Sequence, residues 1–476
     1  MVRRSRPAIG ALSLSAWVLP GAAQAHVMAE RYDLPLPLSF YLGGAGAVVA
    51  LSFVLAAALR RGAGAGLRER HIQLPAPLRG LAMGIRIAAI AIFLLLIAAG
   101  IFGNQDDWDM NILPVAVWVI GWVGIAFISA LLGDVWPLLD PWVNIVRLFG
   151  TKAARRKTSI PDWVGVWPGC LLFSVVAWAE IVWPSNAVPA RLALALVLYS
   201  AIAWAGMALW GAEEWRRRGD ALALFFGLFA RFAPIAVESG AGGRAAIVLR
   251  PYGAGLLTKE TPAVSMMVFI ILVLAAVGFD GISETPFWHG IADDAMTRLY
   301  DFGLVTLIGN VAAASLVKTL GLLATPILFF AVYLACSAMM AWIVGGATMA
   351  TARRFAPTLV PIAIAYHLAH YLSYLAIQGQ AIIPLISDPL GFGWDVFGTR
   401  AYQPDPDILR ARSMWIAAVT AILLGHVAAV FLGHATAIGF YRDRRIALRG
   451  QVPIMVLMVG YTMLSLWILA QPIVAL

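Results

Sequence analysis

Charged residues are scarce in this sequence. Asp, Glu, Lys and Arg make up 12% of its 476 residues, whereas soluble domains carry about 25%. Hydrophobic residues make up 61% of the chain, and its mean hydropathy is +0.84. This composition excludes an ordinary soluble globular domain and predicts a polytopic membrane protein whose main partner is the lipid bilayer.

Cysteine is almost absent as well. Cys170 and Cys336 lie in separate apolar segments and neither belongs to a CxxC pair, which argues against a disulfide framework and against a zinc-thiolate site. The sequence also lacks a GxSxG elbow, an HExxH helix, a Walker loop and a GxGxxG following a strand. The sequence therefore has none of the common signatures of serine hydrolases, metalloproteases or nucleotide-binding proteins.

The net charge of +9 does not indicate nucleic acid. The basic residues stand in short loops between apolar segments, as the positive-inside rule predicts for a membrane protein. A nucleic-acid partner requires a basic patch exposed to solvent. We therefore expect no nucleic-acid partner.

The first 25 residues have the pattern of a secretory signal peptide. A basic MVRRSR is followed by the short apolar core IGALSLSAWVLP and by the small-residue sequence AQA before His26. An uncleaved first helix is the alternative. Cleavage would leave residues 26–476 as one transmembrane helical domain with a periplasmic N-terminus in a bacterial inner membrane.

Ten apolar segments are close to the length of about 20 residues that a bilayer requires. The sequence predicts spans at 38–59, 82–103, 111–133, 163–183, 189–210, 263–280, 318–346, 357–377, 414–436 and 452–473. The fold class predicted is thus an all-α polytopic transmembrane helix bundle of about ten spans after a cleaved signal peptide.

Loop charges support this topology, because the basic and acidic loops alternate. The side that we call the basic side, predicted to be cytoplasmic, has the clusters Arg60–Arg61, Lys152–Lys157, Arg216–Arg218, Arg353–Arg354 and Arg442–Arg445. The opposite side, which we call the acidic side, has Asp106, Asp107, Asp109, Asp280, Glu284, Asp293, Asp294, Asp301, Asp388, Asp395, Asp405 and Asp407.

Three further apolar stretches do not fit as spans. Residues 302–317 are nearly long enough to cross, but counting them would place Arg353 and Arg442 on the acidic side. We therefore predict a re-entrant or interfacial segment there. Residues 134–150 and 220–234 have the pattern of amphipathic helices on the cytoplasmic surface.

Four of the seven histidines lie inside two predicted spans. His367, His370, Tyr371, Tyr374 and Gln378 follow steps of 3, 4, 7 and 11 and share one face of a helix. In the next span, Gly425, Ala429 and Gly433 form a stripe of small residues that favours close helix contact, and His426 and His434 each follow one of these glycines. Ionisable groups at such depth are costly and indicate function.

Helix geometry places three of these imidazoles at a similar depth. With a rise of about 1.5 Å per residue, His367, His370 and His426 lie near the bilayer midplane, and His434 lies nearer the basic side. This arrangement predicts a transition-metal centre, zinc or copper, or a b-type haem, held by His367, His370, His426 and His434 with Tyr371 beside them. A network of structural hydrogen bonds is the alternative.

A second group of polar residues lies near the acidic ends of the spans: Glu180, Asp280, His289, Lys318, Gln378 and Gln380. Glu180 is well inside its span, so it could act as a general base or a proton carrier. A structural carboxylate paired with lysine is the alternative. A mature N-terminal His26 could also chelate copper through its amine and imidazole, with His289 as a further ligand, unless His26 follows the cleavage site by chance.

Several motifs resemble one bacterial family of polytopic membrane proteins. They are HVMAERYDLPLPLSFYLGG, DVWPLLDPW, WVGVWPGCLLFSVVAWAEIVWP, WRRRGDALALFFGLFARFAP, FDGISETPFW and YHLAHYLSYLAIQGQ. Together they cover nearly the whole mature chain and resemble the proteins labelled fenitrothion hydrolase. The resemblance implies a phosphotriester hydrolase at the outer face of the inner membrane. This chain departs from the family pattern at Asp134 and Asp140, where asparagine is usual.

Hydrolysis of an apolar organophosphorus ester requires an activated water and stabilisation of the phosphoryl oxygen, and a metal ion supplies both. In this hypothesis His370 and His426 bind the metal with support from His367, Glu180 is the base, and Gln380 orients the substrate. Two alternatives remain. One is a haem or copper redox subunit that passes electrons between a periplasmic partner and quinone, and the other is a transporter with a polar site at the midplane.

Overall fold

The computed structural model describes residues 37–58, 69–73, 77–150, 159–239, 245–258, 260–441 and 443–471. The predicted signal peptide and the possible copper ligand His26 lie outside these residues.

Most of the described chain is helical. The helices, numbered here in chain order, are α1 (Leu38–Ala58), α2 (Pro77–Phe102), α3 (Ile112–Leu131), α4 (Trp136–Leu139), α5 (Pro141–Leu148), α6 (Trp167–Ile181), α7 (Pro189–Trp210), α8 (Ala212–Arg218), α9 (Ala221–Ala230), α10 (Val264–Ser283), α11 (Pro286–Asp301), α12 (Leu304–Ile308), α13 (Asn310–Val344), α14 (Thr348–Phe355), α15 (Val360–Gln378), α16 (Ile382–Ser387), α17 (Ala411–Phe440), α18 (Arg444–Gly450) and α19 (Val452–Leu469). Short 3₁₀ turns lie at Trp108–Met110, Ala254–Leu256, Ala356–Leu359 and Gly379–Ala381.

The helices confirm the predicted fold class. Within the described residues, nine helical segments are long and apolar enough to cross a membrane. The remaining predicted span, residues 163–183, corresponds to α6, which has 15 residues and a length of about 22 Å. The protein is therefore an all-α polytopic membrane bundle. Helices are required here because lipid cannot satisfy exposed backbone groups.

The stretch predicted as re-entrant or interfacial divides into two parts. Leu304–Ile308 forms the short helix α12, and residues from Asn310 onward are the first turns of the 35-residue helix α13. Residues 310–317 therefore continue into the following span instead of turning back. At about 1.5 Å per residue α13 is roughly 52 Å long, so it extends beyond a hydrocarbon core of about 30 Å.

The prediction of a surface helix at 220–234 is wrong. Helix α9 buries eight of its ten residues, and it packs against α3, α6 and α15. It is apolar on nearly every side, and such a helix belongs in a protein interior. In contrast, α5 buries one face through Trp142, Val143 and Val146, as the amphipathic pattern of 134–150 predicts.

A small antiparallel sheet, which the sequence did not predict, links three segments on the basic side. Its strands are β1 (Arg70–Gln73), β2 (Ile235–Ser239) and β3 (Ala245–Leu249), in the order β1-β3-β2. The register pairs Arg70 and Ile235 with Leu249. The sheet thereby connects the residues that follow α1 to those that precede α10.

Helix α15 lies at the centre of the bundle. It packs against α3, α9, α10 and α17, and most of its side chains are buried. The contact with α17 is close because Gly425 lies opposite α15: a Cβ atom there would be 2.2 Å from the Ala365 Cβ and 2.6 Å from the Pro361 carbonyl oxygen. The stripe of small residues thus faces a neighbouring helix, as predicted from the sequence.

Candidate functional site

Four polar side chains from three helices meet inside the bundle. We call Glu180 of α6, Asp280 of α10, and His370 and Tyr371 of α15 the polar cluster. The Tyr371 hydroxyl oxygen lies 2.8 Å from Oε1 of Glu180 and 2.7 Å from Oδ2 of Asp280. Nε2 of His370 lies 2.9 Å from the same Oδ2 atom. The cluster therefore forms a continuous chain from one carboxyl group to the other and on to an imidazole.

The hydrogen atoms available to these contacts indicate the protonation state of the polar cluster. The Tyr371 oxygen is within hydrogen-bonding distance of both carboxyl groups, yet a phenol has only one hydrogen to donate. Two full hydrogen bonds require a second hydrogen, which a protonated Glu180 or Asp280 can donate to the phenol oxygen. Two ionised carboxylates so close together in a low-dielectric interior would also repel each other. The geometry therefore fits a carboxyl pair that holds one proton.

Local structure fixes the positions of these groups. His370 and Tyr371 are consecutive on α15, and Asp280 is in the last turn of α10. The ring of Tyr366, one turn before His370, stacks on the imidazole at a centroid distance of 5.8 Å. Gly281 makes room for this arrangement, because a Cβ atom at that position would be 2.0 Å from the Tyr366 hydroxyl oxygen.

Further charged groups surround the cluster towards the acidic side. Lys318 of α13 lies near enough to act electrostatically on both Glu180 and Glu284. Glu284 follows the end of α10, and burial together with the nearby Asp280 charge raises the pKa of its carboxyl group. His370 and His289 are also close to Glu284. Titratable groups are therefore close to Glu284, next to the end of α10 that holds Asp280.

His367 lies one helical turn from Tyr371, towards the basic side. Its side chain is 3% exposed, and its Nε2 atom has no hydrogen-bond partner among the described residues. Such a buried polar atom costs about 1–3 kcal/mol when it stays unpaired. His367 also lines a small cavity together with Glu180 and Tyr371, so this cost can be relieved by a molecule in the cavity.

The two histidines of α17 are buried but are bound to structural partners. Nδ1 of His426 lies 2.8 Å from the Ile422 carbonyl oxygen of its own helix, and its Nε2 atom has no partner among the described residues. Nδ1 of His434 lies 3.3 Å from Oε1 of Gln451. Because Gln451 directly precedes α19, this contact connects α17 to the start of α19. This contact corresponds to the structural alternative considered for His434.

Gln380 has a structural environment. Its amide nitrogen donates to the carbonyl oxygens of Ala376 and Asp405, both at 2.9 Å. Its amide oxygen accepts from the Tyr402 hydroxyl at 2.7 Å and from the Asp405 backbone at 3.0 Å. An amide has two donor hydrogens and two acceptor positions, and all are used here. Gln380 therefore fastens the 402–405 loop to the end of α15 and has no donor left for a substrate.

The predicted metal ligands that the structure describes lie in several different parts of the bundle. Within the described part of the chain, no three His, Cys, Asp or Glu side chains converge so that they could share a metal ion. Nε2 of His370 is already paired with Asp280. His289 lies in the first turns of α11, at the acidic side. The metal-centre and haem hypotheses, including the role of His26, therefore remain predictions.

The sequence places Asp280 in the polar group near the acidic ends of the spans but predicts no role for it in the site. It stands at the end of a predicted span, where a carboxylate usually marks the water interface, and the sequence pattern groups it only loosely with Glu180. The structure extends α10 to Ser283 and buries Asp280, which is 5% exposed. Its sequence signal is a carboxylate within an otherwise apolar helix, followed at once by a glycine.

Comparison of the chain with protein-family models, with curated proteins and with solved structures gives no match.

Proposed function

We propose that this protein is a proton-coupled membrane transporter and that the polar cluster is its proton-binding site. The observation that carries this proposal is the position of the Tyr371 hydroxyl, 2.8 and 2.7 Å from one oxygen of each carboxyl group. Glu180 and Asp280 then hold one exchangeable proton between them. Ionisable residues inside membrane helices are typical of proton relays in transporters.

The cluster also offers a way to couple protonation to helix movement. Loss of the shared proton leaves two negative carboxylates beside one phenol, which drives α6 and α10 apart. In the same state the positive charge of Lys318 attracts the Glu180 carboxylate, which favours a movement of α6 towards α13. Because the two protonation states prefer different helix arrangements, proton binding can shift the populations of two conformations. A transporter requires this link between an ion and a conformational change.

The orientation follows from the loop charges. We place the basic side in the cytoplasm and the acidic side in the periplasm of a bacterial inner membrane. Glu284 follows the acidic-side end of α10 and has Lys318 and His289 close to it. In this proposal these groups receive the proton from the periplasm.

Infrared spectroscopy of the purified protein tests the proposal directly. A protonated carboxyl group gives a C=O stretching band that an ionised carboxylate lacks, and the band shifts in D₂O. We expect this band at neutral pH in the unmodified protein and its loss or displacement in Glu180→Gln and in Asp280→Asn. Tyr371→Phe should shift the band, because it removes the bridging hydroxyl.

Two matched variants control for unspecific effects. Glu260→Gln changes an exposed carboxyl, and Tyr300→Phe changes an exposed phenol, so both should leave the band unchanged. Asp140 also contributes to the band at neutral pH, because burial raises the pKa of its carboxyl group to about 7. A band that neither Glu180→Gln nor Asp280→Asn changes would therefore show that the two carboxyls do not hold a proton. The proposed function would then be wrong.

Hydrolysis of an apolar phosphotriester is the second candidate, and one contact favours it. His370 Nε2 lies 2.9 Å from Asp280 Oδ2, and general-base histidines are likewise paired with a carboxyl group. Incubation with fenitrothion in detergent micelles, with release of the nitrophenol measured, tests this candidate. Activity that His370→Gln abolishes and His71→Gln preserves would favour the hydrolase, since His71 is exposed.

A further inference from the structure

A cavity lies next to the polar cluster on its inward side. It is bounded by α3, α6, α9, α10 and α15, and its walls include Glu180, Tyr371 and His367. The volume that the centre of a water molecule can occupy inside it is about 10 Å³. This is room for roughly one water molecule. The other walls are aromatic and aliphatic, with Trp122, Phe173 and Phe225 among them.

The imidazole of His367 has few ways to satisfy its hydrogen bonds. The rings of Phe127, Phe225 and Phe229 lie roughly edge-on to it, at centroid distances of 6.1, 5.8 and 5.6 Å. Its Nε2 atom has no partner among the described residues. The cavity wall also includes the polar side chains of Glu180 and Tyr371. A buried water is stable where it can serve two or more polar groups, and these residues supply them.

We infer that one water molecule occupies this cavity, that it bridges His367 Nε2 to the Glu180 carboxyl, and that His367 is the inward member of the proton path. The cavity and the His367 nitrogen without a partner among the described residues support the water site. The role of His367 in the proton path rests on the proposed function. The path then has a fixed order from the acidic side: Asp280, Tyr371, Glu180, the water and His367.

Proton transfer along this order is balanced at each step. Glu180 gives its proton to the water, and the water passes one of its own hydrogens to Nε2 of His367. The water is regenerated, Glu180 becomes a carboxylate and His367 becomes an imidazolium. A new proton from the acidic side then binds Asp280, which donates it to the Tyr371 oxygen while Tyr371 passes its own hydrogen to the Glu180 carboxylate. Glu180 is then protonated again and Asp280 is ionised, as at the start. The aromatic rings around His367 delay release towards the basic side until they move.

The direct test removes the water without removing any polar group. Ala177 of α6 and Ala276 of α10 both line the cavity, so Ala177→Val and Ala276→Val each place two methyl groups in it. Ala179→Val is the matched control, because Ala179 is on α6 but is not among the cavity-lining residues. The readout is the O–H stretching band of an isolated water, identified by its isotope shift in H₂¹⁸O.

We expect this water band in the unmodified protein and in Ala179→Val, and its loss in Ala177→Val and Ala276→Val. A water band that persists in both cavity-filled variants, or its absence from the unmodified protein, would overturn the water site. Two cavity variants on different helices are used so that misfolding of one leaves the test intact.

A second experiment tests the role of His367. Protein is reconstituted in vesicles in one orientation at an alkaline pH at which the polar cluster has lost its proton. The pH is then lowered only on the basic side, and the rise of the part of the carboxylic-acid band that Glu180→Gln removes is timed. His367→Phe keeps the ring volume and removes the nitrogens, so the rise should slow by about tenfold or more. His71→Phe is the control, because His71 is exposed.

The outcomes separate the inference from the proposed function. If no part of the carboxylic-acid band of unmodified protein is changed by Glu180→Gln, the proposed function fails. If the band is present and its rise is as fast in His367→Phe as in unmodified protein, the proton path does not pass through His367, although the proposed function stands.

Discussion

Nε2 of His370 lies 2.9 Å from Oδ2 of Asp280, and the two residues are 90 positions apart in the sequence. The contact joins α15 to α10 in the interior of the bundle, where both side chains are largely shielded from water. Since Tyr371 contacts the same carboxylate oxygen at 2.7 Å, Asp280 is shared by two neighbouring residues of α15. This shared carboxyl group holds the polar cluster together.

Removal of Asp280 should therefore destabilise the protein. Asp280→Ala leaves His370 and Tyr371 without their common partner, and breaking a buried pair from one side costs about 3–5 kcal/mol. We expect a clearly lower Tm in detergent, measured by the intrinsic fluorescence of tryptophan. Asp294→Ala changes an exposed aspartate and should shift stability by no more than about 0.5 kcal/mol. Equal Tm values for the two variants would contradict the structural role of Asp280.

The close contact between α15 and α17 gives a second prediction. Gly425→Ala places a methyl group 2.2 Å from the Ala365 Cβ, so the helices must separate, at a cost of about 1–3 kcal/mol. In the same helix, a Cβ atom at Gly439 would meet no atom of the residues that the structure describes within 4 Å. Gly439→Ala should keep or slightly raise the Tm, because alanine favours helix by about 0.5–1 kcal/mol over glycine. Equal losses of Tm in the two variants would contradict the close contact at Gly425.

Two aspartates outside the spanning helices predict a pH dependence of stability. Asp140 and Asp220 cap the N-termini of α5 and α9. Burial, and then the charge of Asp220, raises the pKa of Asp140 to about 7, and burial raises the pKa of Asp220 to about 6. Arg216 and Arg147 oppose the shift at Asp140. The ordinary pKa of both aspartates is 3.8. The folded protein therefore binds more protons than the unfolded protein between pH 3.8 and about 7.

The sign of the effect follows from this difference in proton binding. The stability contributed by the neutral carboxyls is complete below pH 3.8 and is lost as the pH rises to about 7. The loss is on the order of 1 kcal/mol per pH unit for each group. Asp140→Asn keeps the cap and should flatten the fall of Tm between pH 5 and 7. The same curve in Asp140→Asn and in unmodified protein would contradict this assignment, and Asp294→Asn serves as the exposed control.

Substitution of Gln380 distinguishes a structural role of this residue from a role in the functional site. Because its amide makes four hydrogen bonds that fasten the 402–405 loop, Gln380→Ala should lower stability by about 1–3 kcal/mol. It should also speed proteolytic cleavage of that loop. The carboxylic-acid band of the polar cluster should stay as in the unmodified protein. Its disappearance in Gln380→Ala would show that Gln380 takes part in the site after all.

Chelation separates the proton site from the predicted metal centre. Treatment with a strong chelator, followed by elemental analysis for zinc and copper, should leave the carboxylic-acid band unchanged, because the polar cluster is held by hydrogen bonds between protein side chains. Loss of the band together with loss of bound metal would favour the metal-centre hypothesis for His370.

The sequence by itself determined the class of fold. Apolar segments of spanning length and the alternation of basic and acidic loops predict the helices and their order, because the bilayer imposes both a length and a charge rule. It also identified the face of α15 that holds His367, His370 and Tyr371, and it selected Glu180 as a buried carboxylate. Each of these predictions depends on local periodicity or on composition.

Only the tertiary structure decided which of these residues meet. Asp280 and Tyr371 are 91 positions apart, and no periodicity within α10 or α15 indicates that they face each other. Burial of α9 depends on three neighbouring helices in the same way. The structure brings Glu180 and Asp280 to one hydroxyl group, whereas it binds Gln380 and His434 to structural partners, because contacts between distant helices are set by packing and not by spacing along the chain.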